Sequence, residues 1–454
     1  MSRLWDKGTG IDPAVLSYTV GEDYLLDLTL VPFDALASMA HAAMLRRIGV
    51  LSQRDLDRIA KGLSRLMELW EKGEFEIAPE QEDCHTAIEN FLVRRCGKAG
   101  AKVHAGRSRN DQAATALRLY TKYRLLNLRV LTAGLASDLV RAASRYTKAP
   151  MPGYTHTRPA MPTTVATYFA SYAEALLEDL EMVEAACALN DSSPLGAAAG
   201  YGASLKLDRA YTARLLGFAS VQANPINAVS SRARMGWWAL LGAASVMGTL
   251  ARMASDLILF SAPEFGYFEL DESITTGSSI MPHKKNPDVL ELLRANAGAV
   301  AQAAERVRAS RQSLPSGYHR DVQTAKEPLI VGLERTMESV KVTGAVLRGL
   351  KVNARRCAEA VDRDVLAADR ALAMAAKGVP FREAYRKVAR TGVEQRPKDL
   401  AADLLTRKHL GAPGNLGLQD LRDRARAARK AADGQRRRFV SRMSRLMEGR
   451  AWKS

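Results

Sequence analysis

The longest uninterrupted helical pattern in the chain constrains its fold more than any other feature. Residues 111–149 contain no proline and a single glycine, and apolar side chains recur along one helical face at Leu128, Leu131, Leu135, Leu139 and Ala142. At 1.5 Å per residue, a helix of this length reaches about 55 Å. Because so long a helix needs partners to cover its apolar stripe, the pattern predicts a helical bundle or a coiled coil.

Four similar proline-free stretches follow, so the middle of the chain predicts a bundle of about five long helices. These stretches span residues 163–193, 229–262, 288–314 and 329–366. Alternating runs rich in Val, Ile and Thr are nearly absent, and the predicted fold class is therefore all-α. Five apolar stripes leave surface that a single copy would expose, which predicts assembly into a multi-subunit helical core.

The two ends of the chain differ from its middle, and this difference predicts three domains. Residues before 111 read as shorter helices broken by glycine and proline, and residues after 367 read as short helices around a Gly-Ala-Pro-Gly loop. The predicted divisions are an N-terminal helical domain (1–110), a central long-helix bundle domain (111–367) and a small C-terminal helical domain with a basic tail (368–454).

The charge of the chain is strongly positive and unevenly distributed. Of a net charge of +17, about half lies in residues 421–454, which hold twelve Lys/Arg and three acidic residues. A solvated basic helix and a nucleic-acid-binding tail both fit this segment. Only Phe439 and Trp452 could stack on bases there, so the nucleic-acid interpretation is disfavoured, and salt-dependent retention on DNA would test it.

The composition and the cysteine spacing also bear on the cellular compartment of the protein. Hydrophobic residues make up 47% of the 454 residues, which excludes a disordered chain. The four cysteines are scattered without a C-x-x-C pair, and the first eight residues contain no apolar stretch of the signal-peptide kind. The apolar run 235–251 is short for a membrane span. The expected location is therefore the cytoplasm, with no membrane association, and no metal-ligand spacing is visible.

One inter-helix segment concentrates groups that bind anions. Residues 275–287 read Thr-Thr-Gly-Ser-Ser-Ile-Met-Pro-His-Lys-Lys-Asn-Pro, directly before a predicted helix that starts at Asp288. Hydroxyls and lysines in front of a helix N-terminus favour an anion site. An ordinary Ser/Gly-rich linker with surface lysines explains the same composition equally well.

Three further segments carry polar groups beside predicted helix ends. His156 in residues 152–159 is suited to proton transfer, although a histidine that only packs remains an alternative. Arg109 in residues 104–112 could hold a carboxylate, and the same residues could simply cap the helix. Residues 318–327 offer a hydroxyl, an amide and an ammonium, or form a plain polar loop. Because antiparallel helices alternate their ends, we expect a site shared between subunits to bring the four segments together.

These segments carry a resemblance to a known family. The pattern Gly-Ser-Ser-Ile-Met-Pro-x-Lys-x-Asn-Pro at 277–287 resembles the signature of the fumarase/aspartase superfamily. Residues 108–112 (Ser-Arg-Asn-Asp-Gln), 82–89 (Glu-Asp-x-His-Thr-Ala-x-Glu) and 153–156 (Gly-Tyr-Thr-His) are similar to the argininosuccinate lyase family within it, as are Tyr318, Gln323 and Lys326 with their spacing.

The resemblance implies a carbon–nitrogen lyase of arginine biosynthesis that cleaves argininosuccinate reversibly to L-arginine and fumarate. It implies a homotetramer with shared sites and no cofactor. It gives Ser278 the role of base on a mobile loop, and it gives catalytic roles also to His156, Lys284 and Glu291. It implies that the substrate is bound, chiefly at its carboxylates, by a set of polar residues: Ser108, Arg109, Asn110, Thr155, Asn286, Tyr318, Gln323 and Lys326.

The chain departs from the family pattern at a few positions, none of which is a residue with an implied catalytic role. Thr157-Arg158 stands where Leu-Gln is usual, His283 where Gln is usual, and Asp23 where a serine is frequent. The last departure puts a substrate-contact role for position 23 in doubt. The alternatives are another lyase of the superfamily, such as adenylosuccinate lyase, and a non-catalytic structural homologue, although Ser278 and His156 are both present.

Overall fold

The computed structural model describes residues 11–447. The first eight residues, for which the sequence predicts no signal peptide, lie outside this range, as do the last seven residues of the basic tail. Between residues 11 and 101 the chain forms six α-helices, which are α1 (Pro13–Val20), α2 (Asp23–Asp27), α3 (Val31–Arg47), α4 (Gln53–Glu71), α5 (Cys84–Cys96) and α6 (Lys98–Ala101). Helix α3 is buried on almost every side, consistent with its nearly uninterrupted apolar and alanine-rich sequence.

The middle of the chain contains the five long helices together with two short ones. They are α7 (Arg109–Arg145), α8 (Val165–Asn190), α9 (Arg209–Leu215), α10 (Pro225–Ser230), α11 (Arg232–Ser261), α12 (Asp288–Ala309) and α13 (Lys326–Gly349). The all-α prediction with a central long-helix bundle is confirmed. The fifth long helix ends at Gly349 rather than near 366, because the chain there turns into a short strand.

Within the described range, six short strands accompany the helices. They are β1 (Pro150–Thr155), β2 (Arg158–Thr164), β3 (Ser192–Ser193), β4 (Ser220–Val221), β5 (Phe268–Leu270) and β6 (Leu350–Val352). Strands β1 and β2 form an antiparallel hairpin, β3 pairs with β4 in parallel, and β5 pairs with β6 antiparallel. The β1–β2 hairpin was not predicted from the sequence.

The last part of the described chain forms five helices: α14 (Ala354–Glu359), α15 (Ala367–Ala375), α16 (Phe381–Thr391), α17 (Leu400–Leu405) and α18 (Leu418–Leu446). Helix α18 carries the basic tail and packs along α7 through Phe439, whose ring lies 6.2 Å from that of Tyr123. Residues Arg109 and Ala367, where α7 and α15 begin, lie beside the predicted boundaries, and the division into three domains stays a prediction.

Three of the five long helices run in one direction and two in the other. The Tyr120 hydroxyl of α7 donates to Glu334 of α13 at 2.9 Å, and the first residues of the two helices, Arg109 and Lys326, line one cavity, so these helices lie side by side and parallel. Helix α11 runs the same way, since its Gly236 and Leu240 meet Leu329 and Gly332 of α13 in the same order. Helix α8 runs opposite to α11, since Tyr172 contacts Asp256 and Val183 lies against Gly242. Helix α12 runs opposite to α13, since Ala303 lies near Gly332 and Arg306 contacts Glu327. The N-terminal ends of α7, α11 and α13 therefore meet at one end of the bundle, and their C-terminal ends meet at the other.

Helix α11 is long and apolar enough to cross a membrane by length and composition alone. Within the bundle it packs closely on α8: a side chain at Gly242 would meet the Val183 Cα at 3.1 Å. The core helix of a bundle passes the same test of length and composition, so this finding by itself does not indicate a membrane span.

We expect Gly242→Ala to destabilise the protein, because the new methyl group would press on the α8 backbone, which cannot move aside easily. The expected loss in the free energy of unfolding is about 1–2 kcal/mol, measured by chemical denaturation. Gly248→Ala is the matched control on the same helix, since nothing lies within 4 Å of its added carbon. The control should be neutral or slightly stabilising, and equal effects at both positions would contradict the close-packing argument.

Candidate active site

The end of the bundle where α7, α11 and α13 begin encloses a cavity of about 120 Å³, here called the N-end cavity. Arg109, Asn110, Tyr318, Gln323 and Lys326 line it, so two of the four segments found in the sequence meet within one protomer. Several residues without a predicted role line it as well: Asp23, Glu82, Asp83, His85, Arg232 and Arg320.

The floor of the N-end cavity is a buried ion cluster around Lys326. Its ammonium lies 2.5 Å from an Asp27 oxygen and 2.6 Å from an Asp23 oxygen. Burial alone would lower the pKa of Lys326, but the charges of Asp27 and Asp23 raise it, so the ammonium stays protonated. Burial raises the pKa of Asp23, and its neighbour Asp27 adds to this, because two carboxylates share one cation. The lysine is therefore already paired before any substrate carboxylate arrives.

Arg109 is likewise paired inside the protomer. Its guanidinium donates to Glu82 at 2.9 Å and also to Asp83, both in the turn before α5. Burial by itself would lower the pKa of Arg109, yet Asp83 and Glu82 raise it. The neighbouring Asn110 donates its backbone N–H to the Ser108 hydroxyl at 3.3 Å, and Ser108 with Asp111 forms a capping box at the start of α7. Ser108 thus has a structural role as a helix cap.

The wall formed by residues 318–326 is held by hydrogen bonds to the N-terminal segment. Gln323 donates its amide to the Thr19 carbonyl at 3.2 Å and accepts from Arg320 at 3.1 Å. Arg232, at the start of α11, also lines the cavity, and its buried Nε has no hydrogen-bond partner among residues 11–447. This arginine is a candidate anion contact that no motif in the sequence predicts.

A buried polar layer lies behind the cavity. The His85 imidazole contacts an Asp34 oxygen at 3.0 Å, and Gln112 donates to both oxygens of the same carboxylate at 3.1 Å. Burial would lower the pKa of His85, but Asp34, Asp83 and Asp27 raise it above its ordinary value. Although His85, Cys84 and Asp27 lie close enough for a metal ion, Asp27 is committed to Lys326, and burial raises the pKa of the Cys84 thiol well above normal.

The two other segments lie at the opposite end of the bundle. His156 and Thr157 are the two central residues of the β1–β2 turn, and both have positive φ angles, 52° and 57°. Such turns match the twist of a hairpin but strain residues other than glycine and asparagine. The His156 side chain is exposed at the hairpin tip rather than seated before α8, and Thr155 beside it is also exposed.

The serine-containing segment forms a closed loop, here called the serine loop (residues 276–286). Backbone hydrogen bonds of 3.1 and 2.8 Å between Thr276 and Asn286 close its neck, and the Asn286 amide donates to the Gly277 carbonyl at 3.1 Å. Within the loop, the backbone N–H groups of Ile280 and Met281 lie 3.4 and 3.1 Å from the Ser278 hydroxyl oxygen. Two oriented donors of this kind stabilise negative charge on an oxygen.

The serine loop and the N-end cavity are separated by the length of the bundle. The segment before the loop packs on Gly349, at the C-terminal end of α13, whereas Lys326 begins that helix. Its 24 residues span about 35 Å at 1.5 Å per residue. Lys284 and Glu291 are exposed at the loop end, and no hydrogen bond joins Glu291 to His156 within the described part of the protomer. The predicted site residues therefore form two separate groups in one copy.

Comparison with known proteins identifies the fold and the family. A family model described as "Lyase" matches residues 19–301. The chain is 45% identical over 419 residues to the argininosuccinate lyase of Sorangium cellulosum, covering 92% of this chain and 97% of that one. It is 41% identical over 387 residues to the argininosuccinate lyase of Thermotoga neapolitana, covering 85% and 97%. The chain belongs to the argininosuccinate lyase family.

Solved structures similar to this member of the argininosuccinate lyase family share its fold. An EDDS lyase variant with bound fumarate superposes with a TM-score of 0.79 at 24% identity, covering 97% of this chain and 95% of that one. A class II fumarase from Schistosoma mansoni superposes with a TM-score of 0.69 at 17% identity, covering 82% and 91%. At these identities the likeness shows the fold alone.

The departures from the family pattern fall at different places. His283 is exposed on the serine loop, and Thr157 lies in the hairpin turn with Arg158 paired opposite Thr155. Asp23, in contrast, lines the N-end cavity and contacts Lys326. The sequence left a substrate-contact role for position 23 in doubt, and the structure places Asp23 in the lining of the N-end cavity.

The raised pKa of His85 predicts a pH-dependent contribution to stability. Because the folded state holds the proton more tightly, this contribution is fully present below the unfolded pKa of about 6.5 and is lost as pH rises through the folded value. The difference in Tm between the wild-type protein and His85→Gln should be largest below about pH 6.5 and should narrow as pH rises above this value. His283→Gln, which removes an exposed imidazole, should leave Tm unchanged, and a pH-independent Tm difference for His85→Gln would contradict the assignment.

Proposed function

We propose that this chain catalyses the reversible β-elimination of argininosuccinate to L-arginine and fumarate. The identity of 45% to an argininosuccinate lyase over 92% of the chain is the observation that carries the proposal. In this reaction a proton leaves a carbon beside a carboxylate, and the bond to the guanidinium nitrogen then breaks. Proton removal places a second negative charge on the carboxylate, so stabilisation of a dianion supplies most of the lowering of the barrier.

Ser278 acts as the base in this proposal. A hydroxyl is a weak base unless its ionised form is stabilised, and the two N–H groups directed at the Ser278 oxygen supply such stabilisation. Lys284 stands six residues along the same loop, exposed and without an ion-pair partner among residues 11–447, which leaves its charge available to the dianion. Asn286 fixes the loop neck through Gly277 and supports the dianion from there.

His156 supports proton transfer on the leaving-group side and is oriented by Glu291. The two residues make no contact within the described part of one copy, so the proposed pairing requires a second copy. Thr155 presents its hydroxyl beside His156 at the exposed hairpin end. All these groups are open to solvent in the protomer, whereas the proposed chemistry needs water to be excluded. Closure by a neighbouring copy would meet this need.

The N-end cavity binds the remaining part of the substrate in this proposal. Asn110, Tyr318 and Gln323 supply neutral hydrogen-bonding groups, and Lys326 and Arg109 supply charges that are already balanced by buried acids. Such a cavity suits an end of the substrate that carries both an ammonium and a carboxylate group, rather than an end that carries carboxylates alone. Ser108 contributes by fixing the first turn of α7, on which Asn110 lies.

The active unit in this proposal is a homotetramer in the cytoplasm. The central helices expose apolar surface that a neighbouring copy could cover: Leu292 of α12 is 62% exposed, and open space surrounds Gly298 on the same helix. Glycine at an exposed helix face allows a second helix to approach closely. All four cysteines are free thiols, which fits a reducing compartment.

The direct test is the release of fumarate, followed by ultraviolet absorbance, when argininosuccinate is added to the pure protein. Activity with argininosuccinate and none with adenylosuccinate is the expected result. Turnover of adenylosuccinate alone would assign the chain to another reaction of the superfamily. Absence of turnover with both substrates would favour the non-catalytic alternative.

We expect Ser278→Ala to abolish turnover while leaving the fold and the oligomeric state unchanged, because only the Ser278 oxygen receives the two loop N–H groups. The loss should be at least about a thousandfold in kcat, as for removal of other catalytic nucleophiles and bases. Ser279→Ala is the matched control on the neighbouring residue and should keep most of the activity. Near-normal kcat in Ser278→Ala would remove this residue from the role of base.

Mixing two inactive variants tests the shared site. Ser278→Ala and Asn110→Ala change opposite ends of the bundle, so a mixed oligomer would contain some sites in which both residues are wild type. If each site takes these residues from two different copies, random mixing of equal amounts should restore about a quarter of the wild-type activity. No recovery after denaturation and joint refolding, with normal assembly by size-exclusion chromatography, would mean that each copy forms its own site.

A further inference from the structure

A second cavity lies between α7, α8 and α18. Helix α18 carries the basic tail, and it has no role in the proposed reaction. Its volume is about 470 Å³, and it shares no residue with the N-end cavity or the serine loop. Apolar contacts from Leu126 and Phe439 form part of its wall. Six charged side chains line it: Lys122, Arg129, Glu184, Asp191, Arg438 and Arg442.

The two acidic residues of this cavity are each committed to a cation. The Lys122 ammonium is paired with Asp191 and also donates to the Gly217 carbonyl at 2.6 Å. The Arg129 guanidinium is paired with Glu184 on α8. These pairs leave the acidic side chains with no charge to offer further cations.

Two arginines of α18 therefore remain as excess positive charge. Arg442 donates only to the Arg214 carbonyl, at 3.1 Å, and Arg438 has no hydrogen-bond or ion-pair partner among residues 11–447. The Arg442 stem is packed against the turn at Gly217, where an added side chain would meet it at 3.1 Å. Burial lowers the pKa of Lys122, and the charge of Arg442 acts in the same direction, so these cations lie close enough to repel one another.

We propose that this cavity binds a small organic anion that carries two or more negative charges. Neighbouring guanidinium groups form paired hydrogen bonds with phosphate or carboxylate oxygens, and a bound anion would offset the repulsion between Arg442 and Lys122. The cavity volume lies within the range of small-molecule sites, and its apolar wall suits a short carbon skeleton. Phosphate esters and polycarboxylates share the required chemistry. This inference does not depend on the proposed lyase reaction.

Equilibrium dialysis of the full-length protein with labelled inorganic phosphate, and separately with labelled citrate, tests the proposal. Anion binding at the proposed catalytic sites is the same in every variant compared, because none of the substitutions lies in the N-end cavity or the serine loop. We expect saturable binding of at least one anion, and the tighter of the two indicates whether phosphate or polycarboxylate chemistry is preferred. The double variant Arg438→Gln/Arg442→Gln should bind about tenfold or more weakly, because charge-assisted hydrogen bonds are lost.

The double variant Arg426→Gln/Arg429→Gln is the matched control. It removes the same two charges from exposed positions of the same helix, away from the cavity, and should bind as the wild type does. Equal weakening in both double variants would mean that only the overall charge matters and would overturn the proposal, as would the absence of saturable binding for both anions. If the Arg438/Arg442 double variant does not fold, the single variant Arg438→Gln gives the same comparison.

Discussion

The rigid axial rise of α13 keeps its Lys326 end and its Gly349 end about 35 Å apart. A helix packed on three others (α7, α11 and α12) cannot shorten, so no movement within one copy can bring the N-end cavity to the serine loop. The direction of the five long helices fixes which groups gather at each end. Any reaction that uses both groups must therefore be carried out by an assembly, and it would depend on protein concentration wherever that assembly dissociates.

The ion cluster at the floor of the N-end cavity links distant parts of the chain. Lys326 begins α13, while Asp23 and Asp27 belong to α2 near the start of the chain, and Asp27 also accepts the backbone N–H of Cys84 at 2.9 Å. A buried charge left without its partner costs several kcal/mol, roughly 3–5 on removal of one member of a pair. The cluster thus holds the N-terminal helices in place against the bundle and fixes the electrostatic character of the cavity.

Much of the fold could be predicted from the sequence, because the periodic spacing of apolar residues in a helix can be seen within a single stretch of chain. Long proline-free stretches with apolar stripes gave the five bundle helices, and the observed α7 begins within two residues of the predicted start at Asp111. The β1–β2 hairpin escaped prediction, since four prolines (150, 152, 159 and 162) disfavour strand pairing and its turn lacks the usual glycine or asparagine. Its pairing depends on packing, for example the 2.5 Å hydrogen bond between the Tyr154 and Tyr267 hydroxyls.

The candidate site was only partly predictable for a different reason. Motif residues could be chosen from the sequence, and Arg109, Asn110, Tyr318, Gln323 and Lys326 indeed line one cavity. The charge partners of these residues could not be predicted from the sequence. Asp27, for example, lies 299 positions from Lys326 along the chain, and no local pattern links the two residues. Arg232 gave no signal either, since a lone arginine at a helix start is common on any protein surface.

The hairpin turn carries an asymmetry that matters for engineering. Both turn residues hold a left-handed backbone, yet only one bears a group suited to proton transfer. Glycine in place of Thr157 would relax the backbone without touching the imidazole, whereas any relaxing change at His156 would delete it. Backbone strain in this turn can therefore be relieved at position 157, whereas its relief at position 156 removes the imidazole.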